Sequence, residues 1–381
     1  VRKKVVIFIY SLGGGGAEKV ALELALGLKS YFDVSIVTVS PVQNYESLGV
    51  EVVSLYKHDI KSSLAQKALS IFKLTFAFAS YCRKNRVDVV LSCLSRPTII
   101  AALSKLIYPR LKLIASEHTT LSGYYGDSFA EKALKKALSM SYQIADAVVA
   151  VSNGIKTDLL QNFGVKKDKI TVIYNPVDTQ KIRISALLKQ PRQSDSFIFV
   201  TAGRLVESKN YPFLFKAFAA LEPFCRLWVL GAGEMERELK FLAVEMGIHE
   251  RVHFFGFCEN PYSYFAAADC FVMSSRLEGL PTVLIEALAC SLPVISTDCK
   301  SGPREILGGM GDILASGLER AEHGILVGLD THKFLSVAMR KMIEDDTLRS
   351  EYRANAPKKA EFFSKEKSIE IYKNLILGVC V

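Results

Sequence analysis

IYSLGGGGAEKVALELALGL, residues 9–28, runs from the end of a β-branched stretch through four consecutive glycines, Gly13 to Gly16, into a segment whose apolar residues recur at helical spacing. Strand, glycine turn and helix in that order open an α/β unit with parallel strands. Glycine lets the backbone approach an anion closely, and the N–H groups at the helix start favour negative charge, so Gly15 and Gly16 are candidate phosphate contacts. The stretch matches neither the GxGxxG dinucleotide fingerprint nor the GxxxxGK P-loop. Read alone, the glycines could be just a tight strand-to-helix turn. Glu18, in the first helical turn, is accounted for by the helix dipole.

Working outward, short β-branched runs alternate with helical patterns along the whole chain. KVVIFIY, DVSIVTVS, VDVVLSC, LKLIASE and DAVVAVS lie in the first half; SFIFVTAG, CRLWVLG, RVHFFG, DCFVMSS, LPVIST and HGILV lie in the second. Continuous apolar strands separated by helices are the mark of parallel sheets covered on both faces. A chain of 381 residues has length for two such domains, since single cores stop growing near roughly 250–300 residues. The expected fold is therefore α/β: two doubly wound, Rossmann-like parallel-sheet domains facing each other across a cleft. VIYNPVDTQKIRISALLKQPRQSDSF carries the turn signals and prolines of a linker, with the boundary near 178–194. The expected domains are 1–178 and 179–361, with a helix over 362–381 packing back on the first. Ligands of open parallel sheets bind beyond the carboxyl ends of the strands, so functional residues should follow strands.

Half of the residues are hydrophobic, which excludes a disordered chain. VRKKVVIFIY reads as a first strand rather than a leader, because its apolar run is short and no small-residue cleavage pattern follows. ALSIFKLTFAFASYC, the most apolar stretch, is interrupted by Lys73 and falls short of the ~20 residues that span a bilayer. The eight cysteines (82, 93, 225, 258, 270, 290, 299 and 380) form no CxxC pair and sit largely in apolar segments, as reduced core thiols do. The net charge of +9 belongs to the first half: residues 1–180 hold 23 Lys+Arg against 14 Asp+Glu, and the remainder 25 against 25. A basic half fits a polyanionic or membrane-surface partner, and it also fits a soluble domain that is simply basic. No nucleic-acid-binding motif accompanies it.

The second half carries the remaining chemistry. VTAGRLVESKNYPFL ends a strand at Gly203 and then sets Arg204 and Lys209 five residues apart, a pair that can neutralise a diphosphate without a metal or can be an ordinary solvated loop. VLGAGEMERELKFL repeats strand, glycine and helix, and RVHFFGF ends at Gly256 and Phe257, whose backbone could read a planar base edge. In RLEGLPTVLIEALAC, Pro281 suits a first helical turn, which leaves Glu278 in the loop and puts Glu286 inside the helix. Two acids eight residues apart on a helix would be about 12 Å apart. That is too far to share a proton and wider than the ~5 Å of a retaining glycosidase pair. They could grip two parts of one elongated ligand. Glu286, set among apolar residues, requires a partner.

GGGGAEKV, GRLVESKN and EGLPTVLIE with its E-seven-E spacing, in that order, resemble family 4 of the retaining, nucleotide-sugar-dependent glycosyltransferases, which have the GT-B fold. The likeness covers nearly the whole chain. It implies that Arg204 and Lys209, with Gly15, Gly16 and Thr282, hold the donor diphosphate. Glu286 would hold the ribose hydroxyls, Glu278 with the backbone of Gly279 and Leu280 the transferred sugar, and Gly256 and Phe257 the base. SEHTT would place His118 beside the sugar as the family's active-site histidine, although a histidine there could simply orient a loop. YNPVD resembles the family's interdomain segment. Many members carry phenylalanine in place of Leu280 and glycine in place of Pro281. There is no DxD and no metal-ligand pattern among the six histidines, so neither metal nor other cofactor is expected.

By the same resemblance the nucleotide leaves while an acceptor hydroxyl attacks the same face of the sugar, the leaving phosphate taking the proton. IFIYSLGGGGAEKV and NPYSYFAAADCFVMSSRLEG look especially like bacterial enzymes that extend polyprenyl-diphosphate oligosaccharides for protein glycosylation, which typically use UDP-N-acetylgalactosamine, at the cytoplasmic face of the membrane. A lipopolysaccharide, capsule or soluble acceptor stays open, as does a non-catalytic sugar-nucleotide or glycan-binding module. KSSLAQKALSIFKLTFAFASYCRK, as a helix, gathers Ser63, Gln66, Lys67, Ser70, Lys73 and Lys84 on one side and apolar residues elsewhere. Lys67 and Lys73, with Glu18, are candidate acceptor or membrane contacts, and EKALKKALSMSYQIA adds Lys132, Lys135 and Lys136. The alternative is a helix packed on the sheet.

Overall fold

The computed structural model describes residues 2–43, 49–56, 64–123, 128–188, 196–311 and 314–380, with the side chains of 64–69 and 129 excepted. The chain divides into two compact units, residues 1–176 with 365–381, and residues 177–364. Residues 362–364 stay with the second unit, because the Val177 amide donates to the Phe363 carbonyl and Val177 bridges Ser364.

The first unit runs β1 (Lys4–Ile9), α1 (Gly16–Leu28), β2 (Asp33–Thr38), β3 (Glu51–Ser54), α2 (Leu64–Asn85), β4 (Val89–Cys93), α3 (Ser95–Ile107), β5 (Lys112–Glu117), α4 (Phe129–Ile144), β6 (Ala147–Ala150), α5 (Asn153–Asn162) and β7 (Ile170–Val172). All pairings are parallel, in the order β3-β2-β1-β4-β5-β6-β7. Alternation along β1 sends Val5, Ile7 and Ile9 into one core with Val20 and Leu24 of α1. Phe8 turns the other way and stacks on Phe78 of α2 at 3.9 Å. The sheet is thus covered on both faces. The edge strands β3 and β7 went unforeseen because they are four and three residues long and show too little period to register.

The second unit continues with α6 (Thr179–Ala186), β8 (Ile198–Ala202), α7 (Tyr211–Ala219), β9 (Arg226–Leu230), α8 (Glu236–Glu245), β10 (Val252–Gly256), α9 (Pro261–Ala267), β11 (Cys270–Met273), α10 (Thr282–Ala289), β12 (Val294–Thr297), α11 (Pro303–Leu307), β13 (Leu318–Ala321), β14 (Gly324–Val327), α12 (His332–Glu344) and α13 (Asp346–Phe362). Its order is β10-β9-β8-β11-β12-β14-β13. One correction concerns the expectation of a purely parallel sheet: β13 pairs antiparallel with β14, a hairpin closed through Ala321 and Gly324. An antiparallel edge on a parallel sheet is common, since a short turn suffices to add it. The last helix, α14 (Lys365–Val379), rejoins the first unit. There Ile369, Tyr372 and Ile376 enter the core beside α1, and Lys365 pairs with Glu23 at 2.5 Å. A Cβ on Gly27 would lie 2.4 Å from Ile369 Cδ1, so the close approach of the two helices depends on that glycine.

All eight cysteines are free thiols, five of them buried. No helix among the described residues is long and apolar enough to cross a membrane.

Candidate functional site

Strand order places the candidate segments. In each sheet the winding reverses once, between β1 and β4 in the first unit and between β8 and β11 in the second. Loops leave such neighbouring strands in opposite directions and open a crevice at their carboxyl ends. The segments singled out in the sequence follow β1, β5, β8, β9, β10 and β11.

In the second unit the loops after β8 and β11 are stitched together. The Arg276 amide donates to the Ser208 carbonyl at 2.8 Å, and Ser274 Oγ donates to the Lys209 carbonyl at 2.9 Å. Across this seam Lys209 Nζ meets Glu278 Oε1 at 2.6 Å, with the two side chains 23% and 11% exposed. Arg204 is exposed, and among the described residues its guanidinium has no ion-pair partner. The strand tips are shaped by glycine. A Cβ on Gly231, whose φ is +128°, would fall 2.0 Å from the Gly203 carbonyl oxygen, and one on Gly233 would fall 2.4 Å from that of Leu205.

Pro281 caps α10 rather than lying inside it, and Thr282 is its first residue. The 12 Å helical separation therefore does not apply between Glu278 and Glu286, because Glu278 sits in the preceding loop. Gly279 and Leu280 are buried, and Ser301 Oγ donates to the Gly279 carbonyl at 2.7 Å. Behind them Arg304 is held by Asp298 at 2.5 Å and Glu319 at 2.7 Å. Glu286 is 6% exposed and is not without a partner. At the tip of β10, the Gly256 carbonyl already accepts from the Gly231 amide at 2.6 Å, and the Phe257 ring is 59% exposed.

In the first unit Gly15 caps α1, and the position of a Gly15 Cβ is 2.3 Å from Glu18 Oε2. A carboxylate thus lies over the helix start where a phosphate was expected. His118 follows β5 and is buried, with Nε2 3.0 Å from Ser116 Oγ. Burial lowers its imidazole to about 4, the Asn175 side chain pulling the other way. Nδ1 has no hydrogen-bond partner among the described residues. At neutral pH this ring is uncharged. Of the helix α2, Lys73 is exposed, whereas Ser70, expected on the same polar side, is buried. The reason is that Leu74, Phe78 and Cys82 set the buried face, which swings Phe72 and Phe76 outward to 62% and 63% exposure. The side chains of Gln66 and Lys67, and all of Ser63, lie outside the described residues. Lys132 and Lys136 of α4 are exposed, while Lys135 Nζ sits 5.4 Å from the centre of the Phe163 ring.

Several groups at these strand tips escaped the sequence reading. Glu117, next to His118, is fully buried. Arg96 opens α3 after Leu94, which has φ +73°, and lies 5.2 Å from the Tyr10 ring centre with a 3.1 Å bond to Ser70 Oγ. A polar residue at the end of each apolar strand was the available signal.

Two family models divide the chain: Glycosyltransferase Family 4 over residues 14–181 and Glycosyl transferases group 1 over residues 187–359. A Campylobacter jejuni protein named N-acetylgalactosamine-N,N'-diacetylbacillosaminyl-diphospho-undecaprenol 4-alpha-N-acetylgalactosaminyltransferase is 33% identical, over 99% of this chain and 100% of its own. A lipopolysaccharide 1,6-galactosyltransferase of Salmonella typhimurium is 26% identical over 65% of this chain and 66% of its own. Among solved structures, Anabaena HepE in complex with UDP and glucose superposes with TM-score 0.79 at 20% identity, over 99% of this chain and 100% of that one. The protein therefore belongs to the family 4 glycosyltransferases and has the GT-B fold. It is a transferase whose relatives include enzymes of lipid-linked saccharide assembly.

Proposed function

We propose that the protein transfers N-acetylgalactosamine from UDP-N-acetylgalactosamine, with retention, to a polyprenyl-diphosphate-linked saccharide at the cytoplasmic face of a membrane. The full-length likeness to the Campylobacter jejuni enzyme carries this reading. In it, Arg204 and Lys209 offset the diphosphate charge, with Thr282 adding a hydroxyl donor at a helix start. These cations take the place of a metal or other cofactor. Glu286 binds the ribose, the Gly256 and Phe257 backbone the base, and Glu278 with Gly279 and Leu280 the sugar. The bond from the anomeric carbon to the phosphate oxygen breaks as the bond to the acceptor oxygen forms on the same face. The acceptor proton passes to the departing phosphate. His118, uncharged, offers a hydrogen bond to a sugar hydroxyl instead of a second cation.

Peripheral contact with an anionic bilayer is part of the proposal. Phe72 and Phe76 flank Lys73 on the outer side of α2, and Lys132, Lys136 and Met140 stand out from α4. Exposed aromatic rings beside lysines suit a headgroup layer. A second reading, transfer to a lipopolysaccharide sugar, is favoured by the Salmonella typhimurium relative.

The test is UDP release from a panel of UDP-sugars presented with short polyprenyl-diphosphate saccharides, lipopolysaccharide core fragments and free oligosaccharides. NMR of the product gives the linkage. An α-linked N-acetylgalactosamine on the lipid-linked acceptor is expected. Turnover only with the core fragments would establish the second reading, and none with any acceptor would leave a binding module.

A further inference from the structure

The carboxylate of Glu117 closes back on the chain that follows it. Oε1 accepts from the His118 amide at 3.0 Å and from the Thr119 amide at 3.2 Å, and Oε2 accepts from the Tyr142 hydroxyl of α4 at 2.8 Å. Glu117 is 1% exposed and, among the described residues, pairs with no cation. Burying a carboxylate without a cation is costly, and three hydrogen bonds to one side chain leave the turn little freedom. Burial pushes its carboxyl up to about 7 despite those bonds. The ring that the turn carries is held separately, by Ser116 Oγ, which lies 3.4 Å from the Tyr372 hydroxyl of α14.

We infer that Glu117 is a positioning residue for His118: by clamping the backbone amides of the turn and anchoring that clamp to Tyr142, it sets where the imidazole presents its Nδ1 edge. The inference rests on the proposed reading only for what meets that edge. Either protonation state can hold the turn, because Oε1 stays an acceptor when Oε2 carries the proton and Tyr142 turns to accept.

Glutamine should therefore replace Glu117 in this task and alanine should not. A misplacement of about 1 Å costs on the order of 10²-fold in rate. With UDP-N-acetylgalactosamine and a polyprenyl-diphosphate disaccharide, Glu117→Ala is expected to lower kcat about 10- to 100-fold with KM for the donor unchanged. Glu117→Gln is expected to restore kcat to within about threefold of the parent, a difference small against that loss. Tyr142→Phe, which removes one bond and keeps the ring, should fall between. NMR of the His118 ring in the full chain gives a second readout, with signals shifted in the alanine variant and parent-like in the glutamine variant. Parent-like ring signals in Glu117→Ala overturn the inference, as does a loss of kcat that glutamine fails to restore. His118→Ala separates the two ideas. If it turns over as well as the parent, the proposed role of His118 falls, and the ring signals alone decide the role of Glu117.

Discussion

At the residue scale the second unit sets an exposed arginine beside an internal ion pair. Arg204 is exposed and has no ion-pair partner among the described residues, whereas Lys209 is engaged by Glu278 at 2.6 Å. Charge-assisted hydrogen bonds contribute about 1.5–3 kcal/mol each, so Arg204→Ala should weaken UDP binding roughly 10- to 100-fold by calorimetry. Unchanged affinity would remove Arg204 from the diphosphate site. Glu278→Ala should abolish turnover while sparing or tightening UDP binding, because it releases Lys209; a fully active variant would refute the sugar role. Glu117 and His118 make a stability prediction of their own. Glu117, raised to about 7 by burial, with Asp158 adding to the rise, keeps its proton in the fold while the unfolded chain loses it near 4.5. Its contribution is complete below about 4.5 and is lost as pH rises through about 7. His118, lowered to about 4, does the reverse, taking stability away as pH falls from 6.5 towards 4. The two slopes oppose each other over the shared window. In Glu117→Gln the melting temperature should fall with acid more steeply than in the parent, and in His118→Gln it should fall as pH rises towards neutrality. Thermal melts between pH 4.5 and 7 measure both.

At the scale of elements, the tips of β8 and β9 touch so closely that a side chain at residue 231 has no place. Gly231→Ala would require both φ of +128° and a methyl 2.0 Å from the Gly203 oxygen. It should destabilise the second unit by several kcal/mol and weaken UDP binding through displacement of Arg204, read as a lower denaturant midpoint and a weaker binding isotherm. The helix α2 illustrates how far pattern carries. Its wide apolar arc was visible, but an arc does not say which part packs on the sheet. Phe8 of β1 chose Phe78, and that choice turned Phe72 and Phe76 outward. Replacing both with serine and Lys73 with glutamate should reduce sedimentation with vesicles containing anionic lipid, with little change in melting temperature because these side chains are exposed. Equal sedimentation would assign that face to solvent.

At the scale of the whole molecule, the chain closes its first unit with its last helix. Removing residues 365–381 would withdraw Ile369, Tyr372 and Ile376 from the core against α1. Each such burial contributes about 1.5–3 kcal/mol. Calorimetry of the truncated chain should show the transition of the first unit lowered or lost and that of the second retained. A single unchanged transition would mean that α14 is dispensable for the first core. The basic excess also belongs to this scale, since the +9 arises wholly before residue 181. Binding of the full chain to anionic vesicles should accordingly weaken as salt is raised.

The alternation of strands and helices, the two-unit plan and the residues that follow each strand are all legible in the sequence. Those properties live in spacing along the chain: apolar period, glycine at turns, proline at a helix start. It also set Arg204, Lys209 and Glu278 behind strands, where an α/β sheet exposes its loops, and Glu286 inside the helix that follows. Folding alone brings Lys209 to Glu278 69 positions away, buries Glu117 against Tyr142, folds Glu18 over Gly15 and returns α14 to α1. The first, second and fourth join residues far apart along the chain, and local periodicity carries no record of such distances; the third depends on a rotamer that spacing does not specify.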